Sequence, residues 1–414
     1  MIVSMMFGYM PWYNFSALIK YIADEYRLTA GDTGEILAAF QLGYVLVVGA
    51  TGWLADKISL KKILFWATLL TGIFATCFVW GANSKTSIMV LRLLTGLSAG
   101  AIYVPGMALL ARWFPPEERG KALGAYTGAL VAAYAGGYLV SSWLAAYYNW
   151  RIGILFTSLP AFAAAGIIHF FVSDKDIDGT VITTGDGMKA DGPGPATQPA
   201  PEGGYTGAAL ITTGYTGHMW ELYAFWGWVG PFLVASAMAS GMSGPEAVSW
   251  GGTIAAAIIL LGLPSSWIWG SAADRLGRTW AIIVAGSLSV MAEFFLGYLY
   301  GHGLAVIVIT AGWIGFWVIA DSAVFKAGLT EMVHPRLHGF TLGIQSVAGF
   351  GATIVSPVVF GKIIEHYNGP VAPTGVTVWG PGFLVLGLGG LLAPVAAIVL
   401  RRHGQSRLMA GGKR

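Results

Sequence analysis

Along the chain, apolar stretches of about twenty residues alternate with short polar intervals, from the first residues almost to the last. A membrane-spanning helix needs about 20 mainly apolar residues, and by that rule the pattern predicts twelve spans. Six run approximately over 2–22, 35–55, 63–82, 88–112, 121–146 and 152–172, and six over 208–236, 248–270, 281–300, 304–330, 340–362 and 382–400. Between the two sets, residues 173–207 change character. Asp174, Lys175, Asp176 and Asp178 precede a run rich in proline and glycine from Gly192 to Glu202. Such a segment lacks the apolar surface needed to order itself. It reads as a flexible linker between two six-helix bundles, 1–172 and 208–400, with 401–414 as a C-terminal tail.

Composition sharpens this picture by exclusion. The 414 residues are 56% hydrophobic and only 10% charged, against roughly 25% charged in an average soluble domain, which excludes an ordinary cytosolic enzyme. The 59 glycines sit inside the apolar stretches, where small residues let transmembrane helices approach closely. A single cysteine, Cys77, leaves no intramolecular disulfide and no cysteine metal cluster. Nucleotide-binding Gly-x-x-x-x-Gly-Lys and metal-type His-x-x-x-His patterns are missing, so no cofactor is expected. A net charge of +3 is too small to point to nucleic acid. The first apolar run has no basic leader and contains Trp12-Tyr13-Asn14, so it reads as a span, not a cleavable signal. Because the chain starts almost inside that span, a short cytoplasmic leader is expected ahead of it.

Placement of the positive residues gives the orientation. If the chain begins inside, sixteen of its 23 lysines and arginines fall in inside segments. Outside segments hold Lys20, Arg27, Lys85, Arg151 and Lys362, while Arg92 and Lys326 fall within spans. The positive-inside bias therefore puts both termini and the linker in the cytoplasm.

An internal repeat accompanies the two sets. Gly52-Trp-Leu-Ala-Asp56-Lys57 recurs as Gly270-Ser-Ala-Ala-Asp274-Arg275 at an offset of 218, and Gly120-Lys-Ala-Leu-Gly124 as Gly339-Phe-Thr-Leu-Gly343 at 219. Parallel halves with a site between them near mid-membrane are a transporter architecture. The loop after span 2, Gly52-x-Leu-Ala-Asp56-Lys57-x-Ser-Leu-Lys-Lys, and its copy Gly270-x-Ala-Ala-Asp274-Arg275-x-Gly277-Arg278 resemble the Gly-x-Leu-Ala-Asp-Arg-x-Gly-Arg-Lys signature of the major facilitator superfamily. Span 4 is similar to that superfamily's Arg-x-x-Gln-Gly pattern in Arg92-Leu-Leu-Thr95-Gly96, followed by Pro-x-x-x-Arg-Gly at 115–120.

The resemblance implies an all-α membrane protein, two pseudo-symmetric six-helix bundles rocking about a central site, and spans 1, 4, 7 and 10 lining it. It also implies a cytoplasmic latch built from Gly52, Asp56, Lys57, Arg112, Gly270, Asp274, Arg275 and Glu331. An acid beside a helix N-terminus contributes a few tenths to about 1 kcal/mol, suited to a contact that forms and breaks. The alternative is a solvated tight loop obeying the positive-inside bias.

Deeply placed charges fall mostly on spans 4, 7 and 10. Arg92 is costly within a span and faces a cavity or a partner, unless it snorkels to the outer boundary. In span 7, His218 and Glu221 are three residues apart on one helical face. They form a proton-site candidate, or lie in the cytoplasmic interface if the helix starts late. In span 10, Asp321 is expected to look toward another helix, toward Arg92 or His218, and Lys326 follows it. Glu293, on span 9, is assigned a structural or outer-interface role. Tyr13, Asn14, Tyr103 and Trp220 are candidate cavity walls or interfacial belt aromatics.

Several subfamily marks are missing. Span 5 offers Gly136-Gly137 in place of the Gly-Pro of drug–proton antiporters, and spans 2 and 8 lack the arginines of nitrate porters.

The leading expectation is proton-linked transport of a small solute, an organic anion received by Arg92 and Lys326, with His218, Glu221 or Asp321 carrying the proton. Efflux of an amphipathic or cationic compound and a nontransporting sensor are the rivals. A monomer among membrane lipids of a bacterial-type inner membrane is expected.

Overall fold

The structure, a computed structural model, describes residues 1–55, 58–174, 205–334 and 337–413. Every regular element among them is helical, as an apolar medium requires of a chain whose backbone groups must pair internally. In chain order they are α1 (Ile2–Tyr9), α2 (Asn14–Tyr26), α3 (Ala30–Ala55), α4 (Leu60–Gly81), α5 (Lys85–Ala99), α6 (Tyr103–Trp113), α7 (Pro116–Tyr147), α8 (Trp150–Ser158) and α9 (Pro160–Phe171). They continue as α10 (Thr206–Ala239), α11 (Gly244–Leu260), α12 (Gly262–Leu276), α13 (Arg278–Leu296), α14 (Leu304–Trp317), α15 (Ser322–Met332), α16 (His338–Asn368), α17 (Gly380–Gly390) and α18 (Leu392–Arg402). Taken continuously or as consecutive pieces, ten among the described residues are long and apolar enough to cross a membrane. The interrupted pair α1–α2 and the helix α3 supply the first two spans. The chain is a multi-pass, all-α membrane protein with twelve spans in two sets of six.

Six spans are broken: 1, 4, 6, 8, 10 and 12. Five breaks have a proline in or just after them, namely Pro11, Pro105, Pro160, Pro264 and Pro394, each deleting a backbone donor and crowding the preceding turn. Span 10 breaks at 318–321 without one, and Asp321 occupies that break as the residue immediately before α15. The freed carbonyls find side-chain donors. Tyr9 donates to Ala99 O at 2.9 Å, Tyr126 to Ile102 O at 3.4 Å, and Ser265 to Phe316 O.

Two compact packing units result, and they do not divide the chain at one point. The first comprises Met1–Lys189, Gly230–Leu260 and Pro370–Gly375. The second comprises Ala190–Val229, Leu261–Gly369 and Val376–Arg414. Membership changes at 229–230, next to Pro231 inside α10, and at 260–261, the break between α11 and α12. Within the first unit, α3 packs on α5, α4 on α5 and α9, and α7 on α11. A Cβ added at Gly43 would fall on the Leu93 carbonyl, and one at Gly96 on that of Phe40, so α3 and α5 touch backbone to backbone. Within the second unit, α13 packs against α14, α17 and α18, and α16 against α17.

Of the linker expected over 173–207, residues 175–204 lie outside the described residues. The segment after α18 folds back onto the second unit as two short 3-10 turns. Gln405, Ser406 and Met409 are buried there. The Gly207 amide donates to Gln405 Oε1 at 2.6 Å and the Ala410 amide to Glu331 Oε2 at 2.9 Å.

Candidate functional site

The densest buried charge lies in the second unit. Because α10 begins at Thr206, His218 and Glu221 stand several turns inside the helix, 1% and 2% exposed. The late helix start that would leave them at an interface is not what forms. His218 Nδ1 is 2.9 Å from Asp321 Oδ1, close enough for charge pairing though off the line of a good hydrogen bond. The imidazole stacks on Tyr215 at 5.8 Å and tilts against Phe325 at 5.6 Å between ring centres. Its Nε2 has no hydrogen-bond partner among the described residues. One turn along α10, Glu221 Oε1 accepts from the Ser289 hydroxyl of α13. The α17 backbone closes over the other oxygen, since a Cβ at Gly390 would stand 2.7 Å from Glu221 Oε2.

Glu293, on the same α13, is fully buried, and neither of its carboxyl oxygens has a partner among the described residues. Burial of this kind leaves the structural role assigned to it open. It lies one turn beyond Ser289, on the same helical face.

In the first unit Arg92 meets backbone partners, one of the surroundings expected of it. It neither snorkels nor faces a solute-sized cavity. Its guanidinium donates to Pro11 O at 3.0 Å and Trp12 O at 2.9 Å, carbonyls freed by the break between α1 and α2. It also lies 4.4 Å from the centre of the Phe40 ring. The space beside it, lined in part by Asn14 and Thr95, is about 10 Å³, against roughly 300–1,000 Å³ for a ligand pocket. The physical reason is local: a proline-broken helix leaves carbonyls that water cannot reach, and a planar five-donor group satisfies two at once. Asn14 Nδ2 donates to Thr157 at 3.0 Å, and Tyr13 packs against Tyr134 and Tyr138 with ring centres at 5.0 and 5.8 Å. Tyr103 pairs its hydroxyl with Thr127 at 3.1 Å and stacks on Tyr126.

The remaining candidates are dispersed. Lys326 is exposed on α15 and enters no ion pair among the described residues. Trp220 packs its indole on α17, where a Cβ at Gly389 would collide with it, and its Nε1 has no partner among the described residues. An apolar cavity of about 720 Å³ opens between α10, α15 and α16, lined by Thr212, Thr213, Leu329 and Phe340 among others. Its lining residue nearest His218 on α10 is Thr213, five residues before it and about 7.5 Å along the axis, so it is separate from the charged cluster.

Of the latch residues, Gly52 lies in the last turn of α3, while Asp56 and Lys57 fall outside the described residues. Arg112 closes the last turn of α6, partly buried. In the second copy Gly270 is helical, because α12 runs on to Leu276. Gly277 follows at φ 100°, a conformation favouring glycine. That turn aims Arg278 back at Asp274, 2.5 Å away, and across to Glu331 at 2.8 Å. Arg275 is exposed. Lys413 Nζ donates to the Asp274 carbonyl at 3.0 Å. Near the opposite ends of the spans, Glu25 accepts from Arg151 at 2.6 Å and from the Trp150 indole at 2.6 Å. The Arg151 hydrogen bond, outweighing partial burial, holds the Glu25 carboxyl below the usual carboxylate range.

The model of the Major Facilitator Superfamily matches residues 1–244. The chain belongs to that superfamily. Among solved structures, this member is similar to a bacterial homolog of the human lysosomal transporter Spinster, inward-facing and occupied, with a TM-score of 0.74 at 13% identity over 97% of this chain and 95% of that one. The D-xylose–proton symporter gives 0.74 at 14% identity over 96% and 95%. At these identities the likeness is one of fold.

Curated relatives are matched over a shorter stretch. The probable anion transporter 7 of Oryza sativa subsp. japonica is 28% identical over 32% of this chain and 30% of its own length. The probable sulfoacetate transporter SauU of Cupriavidus necator is 32% identical over 28% and 27%. The probable galactarate/D-glucarate transporter GarP of Escherichia coli K12 is 29% identical over 37% and 34%. The match thus spans about a third of the length of these relatives.

Two residues of this superfamily member were named in the sequence without the surroundings the structure gives them. Arg278, rather than Arg275, pairs with both Asp274 and Glu331 in the second motif copy, and its sequence signal was the Gly277 before it. Glu293 gave only one cue, a carboxylate within an apolar run, which does not say which face of α13 it takes.

Proposed function

We propose that the chain is a secondary transporter moving a small organic anion by proton-linked alternating access. It acts as a monomer in a bacterial-type inner membrane with both termini and the linker cytoplasmic. The observation that carries this reading is the buried His218–Asp321 pair with Glu221 one turn away. Histidine changes charge near neutral pH, and its pairing with Asp321 depends on that charge. Gain or loss of one proton therefore switches an electrostatic contact between α10 and the break in span 10, the kind of two-state element that alternating access needs. The names of the anion, sulfoacetate and galactarate/D-glucarate transporters support a carboxylate or sulfonate as cargo. Lys326 and Trp220 are the side chains assigned to it, and Arg92 acts by holding span 1 in its broken form.

A second reading, efflux of a cationic compound, is favoured by one observation: among the described residues of the second unit three acids are buried, Glu221, Glu293 and Asp321, against the single base His218. Uptake of labelled sulfoacetate and D-glucarate into proteoliposomes under an imposed pH gradient tests the first reading. Gradient-driven accumulation, lost in His218→Ala and Glu221→Gln while unlabelled-for-labelled exchange persists, is the expected result. Accumulation indifferent to a protonophore would sink it, and transport of a cationic dye abolished by Glu221→Gln would favour efflux.

A further inference from the structure

Glu293 is not used by the scheme above, yet it is a fully buried carboxyl with both oxygens unpartnered among the described residues. An ionised carboxylate in such a place costs several kcal/mol, whereas the neutral acid costs far less. A glutamine or leucine would satisfy packing without that liability, so a purely structural role leaves the choice of glutamate unexplained.

Its setting on α13 supplies the reason. Ser289, one turn before it, holds Glu221 by a hydrogen bond, which puts Glu293 about 6 Å further along the same face. Two buried carboxyls held one turn apart oppose each other's ionisation, because a like charge nearby disfavours the charged form. Of the other elements packed on α13, the 3-10 turn Gly297–Leu299 brings the hydroxyl of Tyr298 beyond the Leu296 end. Neither α14 nor α17 carries an ionisable side chain, and Asp274 and Arg275 of α12, Arg401 and Arg402 of α18, and Arg278 of α13 all lie at the Arg278 end. Lys326 and Glu331 of α15 follow Asp321 toward its Met332 end.

We propose that Glu293 and Glu221 form a dyad along α13 of which one member at a time is ionised, with Glu293 the member toward Leu296. The dyad rests on the proton-linked reading, to which it adds a second proton-carrying group outside the helices expected to line the central site.

The test is infrared difference spectroscopy of the full chain in liposomes, with pH as the only variable and exchange into D2O to mark carboxyl stretches. Wild type is expected to show protonated-carboxyl bands. Glu293→Gln should remove one and displace the pH midpoint of the remaining one by more than tenfold in proton concentration, as coupled sites require. Glu221→Gln should displace the Glu293 midpoint reciprocally, which keeps the test alive if one variant does not fold. An unmoved midpoint in either folded variant overturns the dyad. Gradient-driven uptake by wild type is read alongside. Coupled uptake with unmoved midpoints leaves proton linkage standing and removes the dyad, and moved midpoints without coupled uptake do the reverse.

Discussion

Arg92→Met separates two roles that the sequence leaves equally open. In the structure the guanidinium donates to two carbonyls, at 3.0 and 2.9 Å, and sits over Phe40. Hydrogen bonds to charged groups contribute about 1.5–3 kcal/mol each in soluble proteins, while side-chain bonds inside membranes average nearer 0.6 and reach about 1.7. Two charge-assisted bonds whose loss leaves buried carbonyls unpaired belong toward the top of the membrane range. The methionine variant should therefore lose about 3 kcal/mol, roughly two orders of magnitude in the folded-to-unfolded ratio. Arg92→Lys, with a point charge in place of a fork, should lose about half of that. Unfolding in mixed micelles, followed by tryptophan fluorescence, gives the comparison. If Arg92→Met unfolds with wild type while the KM for sulfoacetate rises, the arginine is a substrate ligand and the helix-fastening argument is wrong.

Two smaller expectations follow from other contacts. At Gly96 an added methyl falls on the Phe40 carbonyl, so Gly96→Ala should destabilise by about 1–3 kcal/mol. The control is Gly166→Ala, where nothing lies within 4 Å, and it should be neutral in the same micelle assay. At Glu25 the depressed folded value means its contribution is present above the unfolded value of about 4.3 and is lost as the pH falls through the lower folded value. The pair with Arg151 is 38–41% exposed, so the effect stays below about 1 kcal/mol. Arg151→Ala should flatten the stability profile between pH 5 and 3, roughly the range spanned by ordinary carboxylates, and an unchanged profile would show that Glu25 does not report on folding.

The spans were legible because twenty apolar residues in a row have few other uses, and the motif repeat was legible because it recurs at one offset. What pattern did not reveal is where spans break and what the breaks demand. Pro11 predicts a kink, but nothing local says that Arg92, 80 residues on, satisfies Trp12. Asp321 sits in a break with no proline at all, so its position immediately before α15 on the His218 face had no sequence signal. Facing directions of single charges in helices apolar all round are similarly silent, which is why two roles stayed open for Glu293. The segment after α18 reads as a polar tail because its few apolar residues are too sparse to form a pattern, yet Met409 is fully buried beneath it.

That returning segment bears on how the protein is made. Gly207 and its acceptor Gln405 are 198 residues apart, so the first helix of the second unit waits through the synthesis of all its neighbours for this partner. The first unit waits almost as long, since it includes Pro370–Gly375, whose Val371 carbonyl accepts from Ala30 at 3.0 Å. Insertion of the helices must then run well ahead of their assembly. A ribosome paused anywhere before α17 leaves both units unfinished, and neither set of six helices can be excised as a fragment with its native contacts complete.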